Sequence, residues 1–208
     1  MAGILRAWAA VAEQRPLLTV AATNGALAGL GDLLAQSIES RGRRQPLRWD
    51  GRRTLRLVAW GAACAPVFFR WYAVLGRAFP LPPASLQRRS ATYLKAVAKR
   101  VAADQIVYAP AGIAAFFVAM ALMEGRSLDV AAARLRERFA PTLAANYAVW
   151  PAVQAVNLGL VPPIYRVPFG SVVGIFWNAF MSWANARAAA ATAAAKPGVR
   201  APGPRWGT

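Results

Sequence analysis

The sequence predicts an all-α integral membrane helix bundle, with four to five transmembrane helices and short amphipathic helices around them. Three observations carry this. The chain of 208 residues is 57% hydrophobic with a mean hydropathy of +0.33. Only 16% of residues are charged, where about a quarter is usual in soluble domains. The apolar residues also gather into long windows separated by short arginine-rich stretches, as a lipid-embedded bundle requires.

Five windows follow in order. They run from Leu17 to Ile38, Leu55 to Phe79, Val101 to Met123, Leu143 to Val161 and Phe169 to Ala186. The fifth is at the short limit for crossing roughly 30 Å of hydrocarbon at about 1.5 Å per residue. Pro151 lies in the fourth, and Pro162, Pro163 and Pro168 separate it from the fifth, so the last two are expected as a kinked hairpin or as two crossings. The chain divides into an N-terminal segment (1–16), a transmembrane helical domain (17–186) and a basic tail (187–208). That tail's Ala-, Pro- and Gly-rich composition predicts disorder. Met1 to Ala12 lacks the h-region of a secretory signal and reads as a weak organelle-targeting helix.

Between the windows, Arg41 to Arg56 is strongly basic, and Ala84 to Arg100 reads as a helical approach to the third. Ser127 to Ala140 has Ser127 as an N-cap and Pro141 as a stop. With Leu128, Leu135 and Phe139 on one side it predicts an amphipathic helix lying on the membrane. The net charge of +17 would point to nucleic acid in a soluble chain. Here the arginines sit in short loops, so contact with lipid headgroups is expected and nucleic-acid contact is not. The face holding the 41–56 loop carries more Lys and Arg, which favours it as the inside.

Histidine is absent and Cys64 is the only cysteine, expected as a buried inert thiol. An intrachain disulfide, His/Cys metal sites and His-dependent nucleophiles are thereby excluded. No enzyme active site, metal site or cofactor is expected.

The informative residues are those a lipid-facing helix avoids: Asp32, Gln36, Arg70, Asp104, Gln105, Asn146, Gln154, Asn157 and Asn178. A charge left in hydrocarbon costs at least about 2.5–3.5 kcal/mol, so each is expected to face protein or water. At about 100° per residue, Gly25, Gly29, Asp32 and Gln36 share one stripe of the first window. Gly25 and Gly29 form a small-xxx-small packing motif. Ala63, Pro66 and Arg70 align in the second window. Asn146, Trp150, Gln154 and Asn157 align in the fourth, and Ser171, Gly174, Asn178 and Ser182 in the fifth. Two readings follow. Either these faces interlock by hydrogen bonds and an ion pair of Asp32 or Asp104 with Arg70, or they line a pathway for small hydrophilic solutes.

The polar positions also form an ordered pattern. The run Asn146-Tyr147-x-x-Trp150-Pro151-x-x-Gln154-x-x-Asn157 is followed by Val161-Pro162, Arg166 and Trp177-Asn178. Earlier come Gly31-Asp32-x-x-x-Gln36, Asp50-x-x-Arg53-Thr54-x-Arg56, Pro66 with Trp71-Tyr72, and Lys99 with Asp104-Gln105 and Pro110. Together, over residues 8 to 183, they resemble the Mpv-seventeen / 22-kilodalton peroxisomal membrane protein family. Departures are Val11 where a Tyr is common, Phe69 where a His precedes Trp-Tyr, and Leu158 where a Phe follows the Asn. The missing His puts in doubt any function depending on protonation there. The resemblance implies a protein of the mitochondrial inner membrane or the peroxisomal membrane, usually drawn with four crossings. It also implies channel-like permeability to small solutes and a part in maintaining mitochondrial function and mitochondrial DNA. The expected partners are membrane lipids, small hydrophilic solutes and a second copy of the chain. The leading expectation is a weakly selective pore; the alternative is a non-conducting structural protein that organises membrane or protein complexes.

Overall fold

The computed structural model describes residues 2–42, 46, 48–82 and 90–179. Among them every regular element is helical. α1 is Ala2–Gln14, α2 Pro16–Gly42, α3 Gly51–Ala78 and α4 Ala91–Ala103. A π-helical turn, Asp104–Tyr108, joins α4 to α5 (Ala109–Met123); α6 is Leu128–Gly159. A 3-10 turn, Pro163–Tyr165, leads into α7 at 166–179. The expected basic tail at 187–208 lies outside the described residues, as does the end of the fifth window.

The distribution of side chains is inverted relative to a water-soluble domain. Leu55, Ile106 and Phe176 are each about two-thirds exposed, while Asp32, Asp104, Gln154, Asn157, Arg100 and Arg166 are buried. Charged groups almost never go inside while large apolar ones stay outside unless the surrounding solvent is apolar. Among the described residues three helical stretches are long and apolar enough to cross a membrane: Pro16–Arg41, Gly51–Ala78 and Ala91–Met123. The third joins the expected approach helix and the third window into one run through the π turn.

α2 and α3 form the closest pair. A Cβ on Gly29 would stand 2.9 Å from Val58 Cγ2, and one on Gly25 would stand 3.2 Å from the Val58 carbonyl oxygen. The opposing small residue is Gly61, whose Cβ would meet Ala28 Cβ at 2.8 Å and the Asn24 carbonyl oxygen at 3.0 Å. The two backbones therefore touch where lipid offers no hydrophobic drive, and close packing substitutes for it. At the loop end, Asp50 caps α3 by accepting from Arg53 N at 2.9 Å. α1 returns along the bundle, with Trp8 Nε1 donating to Thr23 Oγ1 and its ring stacked 5.6 Å from Tyr165.

α5 and α6 form the second hairpin. Gly125 takes φ +71°, the left-handed conformation glycine tolerates. Arg134 pairs across the turn with Glu124 at 2.7 Å and holds that carboxyl below its usual range, chiefly through their hydrogen bond.

Two expectations about α6 are corrected. Pro141 does not stop a surface helix; α6 runs from Leu128 to Gly159 with Pro141 and Pro151 inside it. The carbonyl that Pro141 cannot serve belongs to the exposed Glu137, so the missing hydrogen bond costs little. At 32 residues α6 is about 48 Å long, enough to cross the hydrocarbon and still carry its charged first turns beyond it. The segment 127–140 is thus collinear with the fourth window.

Candidate functional site

The π turn is the element around which the polar residues assemble, and its geometry follows from Pro110. In the π register the Ala109 N–H donates to the Asp104 carbonyl. The donor five residues after Gln105 is Pro110, which has no N–H. The Gln105 carbonyl is therefore left without an intrahelical partner. Tyr147 on α6 supplies one, its hydroxyl donating at 2.9 Å. The widened turn carries both Asp104 and Gln105 into the bundle, where they are buried. Tyr147→Phe should orphan that carbonyl and lower stability in detergent by about 1–2 kcal/mol, read by thermal or denaturant unfolding. An unchanged midpoint would refute this account of the turn.

Asp104 accepts three hydrogen bonds: from Trp71 Nε1 at 2.9 Å, Gln105 Nε2 at 2.9 Å and Gln154 Nε2 at 2.9 Å. Gln105 Oε1 in turn accepts from Asn146 Nδ2 at 3.1 Å. Asn157 Nδ2 donates to Gln154 Oε1 at 2.9 Å, and the Tyr72 hydroxyl lies 3.3 Å from Gln154 Nε2. No cation among the described residues is paired with Asp104, whose oxygens are met there by N–H donors. The Asn157 Oδ1 atom is buried without a partner among the described residues.

A cavity of about 270 Å³ adjoins this network. Asp104, Gln105, Asn146, Gln154, Asn24 and Ser171 are among the polar residues that line it, and Phe68, Tyr72, Tyr108, Trp150 and Trp177 among the aromatic ones. Asn24 ties three helices together: it donates to the Gly61 carbonyl and accepts from Ser171 Oγ of α7. Asn24 was not among the sequence candidates, although it carries the same signature, an amide inside an apolar window.

The structure divides the sequence candidates into three groups. Asp104, Gln105, Asn146, Gln154 and Asn157 come together at and beside the cavity. Asp32 and Gln36 form a separate clasp where α2 meets the 46–54 segment. There Arg53 Nε stands 2.7 Å from Asp32 Oδ1, and Gln36 Nε2 and Thr54 Oγ1 donate to Asp32 Oδ2 at 2.7 and 2.6 Å. Gln36 Oε1 accepts from the Asp50 backbone N–H at 2.8 Å, and Arg53 also grips Glu39. The third group faces outward: Arg70 and Asn178 are exposed.

The expected pairing of Arg70 with an aspartate is therefore corrected; the partner of Asp32 is Arg53. The inward stripe of α3 is Gly61, Ala65, Tyr72 and Leu75, and Ala63 lies about 200° round the helix from Gly61. Arg70 is eight residues, about 12 Å, from the Ala78 end, within snorkelling reach of the headgroups. Gly174 also departs from its expected packing role, since a Cβ there would meet nothing within 4 Å. α7 instead approaches α2 one residue on, with Ile175 against Gly31. Cys64 is half-buried with a free thiol. Among the described residues no cluster of three or more His, Cys, Asp or Glu could hold a metal ion.

Comparison with known proteins identifies the family. The profile of the Mpv17 / PMP22 family matches residues 121–182, the stretch holding α6 and α7. Protein sym1 of Schizosaccharomyces pombe is 38% identical, covering 85% of this chain and 88% of that protein. Protein SYM1 of Saccharomyces cerevisiae is 35% identical over 88% of this chain and 91% of its own length. Protein SYM1 of Eremothecium gossypii is 37% identical over 90% and 99%. None of these names is that of an enzyme. No solved structure matches the chain. The identity to these relatives extends over nearly the whole helical bundle, and the chain is an organelle membrane protein belonging to the Mpv17 / PMP22 family.

Proposed function

We propose that the chain provides a weakly selective pathway for small hydrophilic solutes across an organelle membrane, the mitochondrial inner membrane in preference to the peroxisomal one. The observation that carries this is the carboxylate of Asp104, without a cationic partner among the described residues, beside a cavity of about 270 Å³. A buried acid with no basic partner is costly in a lipid-embedded protein, and such residues commonly mark routes for ions or polar solutes. The aromatic wall would limit passage to small molecules. Membrane lipids and a second copy of the chain are the partners this reading includes.

A specific observation favours the alternative, a non-conducting structural protein. The amides around Asp104 satisfy one another almost completely, as an interlocking helix interface would. Flux through liposomes holding the purified full chain separates the two. Solute leak whose cation preference falls on Asp104→Asn supports the pathway. Vesicles that stay tight across several lipid compositions and voltages would leave the structural reading standing.

A further inference from the structure

The molecule buries two arginines for which its acids supply no partner. Arg100 on α4 is 4% exposed and Arg166 at the start of α7 is 6% exposed. The chain has eight acidic side chains, all within the described residues. Asp32 and Glu39 are taken by Arg53, and Glu124 by Arg134. Asp50 caps α3, Asp104 is held by Trp71 and the amides, and Glu13, Asp129 and Glu137 are exposed. None forms an ion pair with Arg100 or Arg166.

Both guanidinium groups lean on carbonyls at helix ends. Arg100 Nε donates to the Phe79 carbonyl at 2.8 Å and Nη1 to the Leu158 carbonyl at 3.0 Å. Arg166 Nε donates to the Val161 carbonyl at 3.1 Å. The two side chains thus share the end of α6, on carbonyls three residues apart. A helix C-terminus contributes roughly half a negative charge. The ends of α3 and α6 therefore offset about one of the two positive charges and leave about one uncompensated. Arg100 Nη2 and both terminal nitrogens of Arg166 have no hydrogen-bond partner among the described residues. None of the three is among the fully enclosed side-chain atoms, so each keeps a small accessible surface.

We infer that Arg100 and Arg166 form a binding site for a phosphate oxyanion, where the end of α3, α4 and the α6–α7 connection meet. The free terminal nitrogen of Arg100 and the two of Arg166 suit a tetrahedral anion, whose several oxygens can accept from both guanidinium groups at once. The site also lies at the right depth for a lipid. α3 is 28 residues and so about 42 Å long. It exceeds roughly 30 Å of hydrocarbon by about 6 Å at each end, which puts its Phe79 cap at headgroup level. The phosphate of a phospholipid and a phosphate-bearing solute present the same chemistry here. The inference does not rest on conduction through the cavity.

The test uses the full chain in a maltoside detergent, which contains no phosphate. One arm titrates inorganic phosphate or pyrophosphate against chloride at equal ionic strength and reads thermal unfolding. The other adds phosphatidic acid to the micelles and reads thermal unfolding together with lipid retained in native mass spectrometry. Stabilisation in the lipid arm alone assigns the site to a headgroup, and stabilisation in both assigns it to phosphate in general. Arg166→Gln should raise the half-saturating concentration about tenfold to a hundredfold. Arg166→Lys, which keeps the charge but not the fork, should raise it less, and the exposed Arg77→Gln should leave it unchanged. Three results overturn the inference. Neither arm stabilises the wild type; Arg77→Gln weakens binding as much as Arg166→Gln; or both Arg166 variants lower the unfolding temperature equally with and without phosphate, as a purely structural arginine would.

Discussion

Asp104→Ala is expected to destabilise the bundle by about 3 kcal/mol while leaving any solute pathway open. The carboxylate is the common acceptor of Trp71 Nε1, Gln105 Nε2 and Gln154 Nε2, and truncation leaves all three without it. An unmet buried donor costs about 1–3 kcal/mol in water-soluble proteins. The cost is smaller in a membrane, because the unfolded helices also find partners there, which puts three donors near 3 kcal/mol. Asp104→Asn keeps one acceptor oxygen and turns an amide nitrogen toward a donor, so a smaller loss of about 1–2 kcal/mol is expected. Unfolding by SDS titration in detergent micelles measures both. The truncation also widens the cavity. In liposomes Asp104→Ala should therefore keep or increase leak and lose cation preference, moving flux and stability in opposite directions. A variant as stable as the wild type, within about 0.5 kcal/mol, would show that the network is incidental to the fold.

The second large effect is expected at Gly61. A methyl there would sit 2.8 Å from Ala28 Cβ and 3.0 Å from the Asn24 carbonyl oxygen. Neither atom can rotate away, since the backbone fixes both an alanine Cβ and a carbonyl oxygen. Gly61→Ala must push α2 and α3 apart, with a cost of about 1–3 kcal/mol, and Gly61→Leu should prevent the hairpin from packing. Separation also breaks the Asn24 bond to the Gly61 carbonyl and with it the link through Asn24 to Ser171. The matched control is Gly174→Ala, where no atom stands within 4 Å. Relief of glycine's entropic cost in a helix makes that change neutral or stabilising by about 0.5–1 kcal/mol. Thermal unfolding of both variants in the same detergent decides it; equal effects would remove close backbone contact as the basis of the hairpin.

Taken together, the two substitutions probe different origins of cohesion. Near Gly61 the bundle is held by contact between backbones, and around Asp104 by donors converging on one acceptor. Neither depends on withdrawing apolar surface from water, which has no force between helices already in lipid.

Composition and window spacing were enough to establish an all-α membrane bundle and to nominate Asp104, Gln105, Asn146, Gln154 and Asn157, because lipid excludes polar groups from any other place. They also pointed to the Gly25–Gly29 face of α2. Which polar residues meet was decided by tertiary structure alone. Helical periodicity sets angles within one helix but not the rotation of that helix against its neighbours. Arg70 shares a stripe with Pro66, yet Gly61, Ala65, Tyr72 and Leu75 hold the inward face, and Asp32 pairs with Arg53 near the start of α3. Pro141 likewise looked like a stop until its context showed that the carbonyl it fails to serve is on exposed Glu137. The burial of Arg100 and Arg166 had no local signal, since both stand beside helix ends where arginine is ordinary. Only the convergence of α3, α4 and α6 closes apolar chain around them, a long-range consequence that the order of residues does not display.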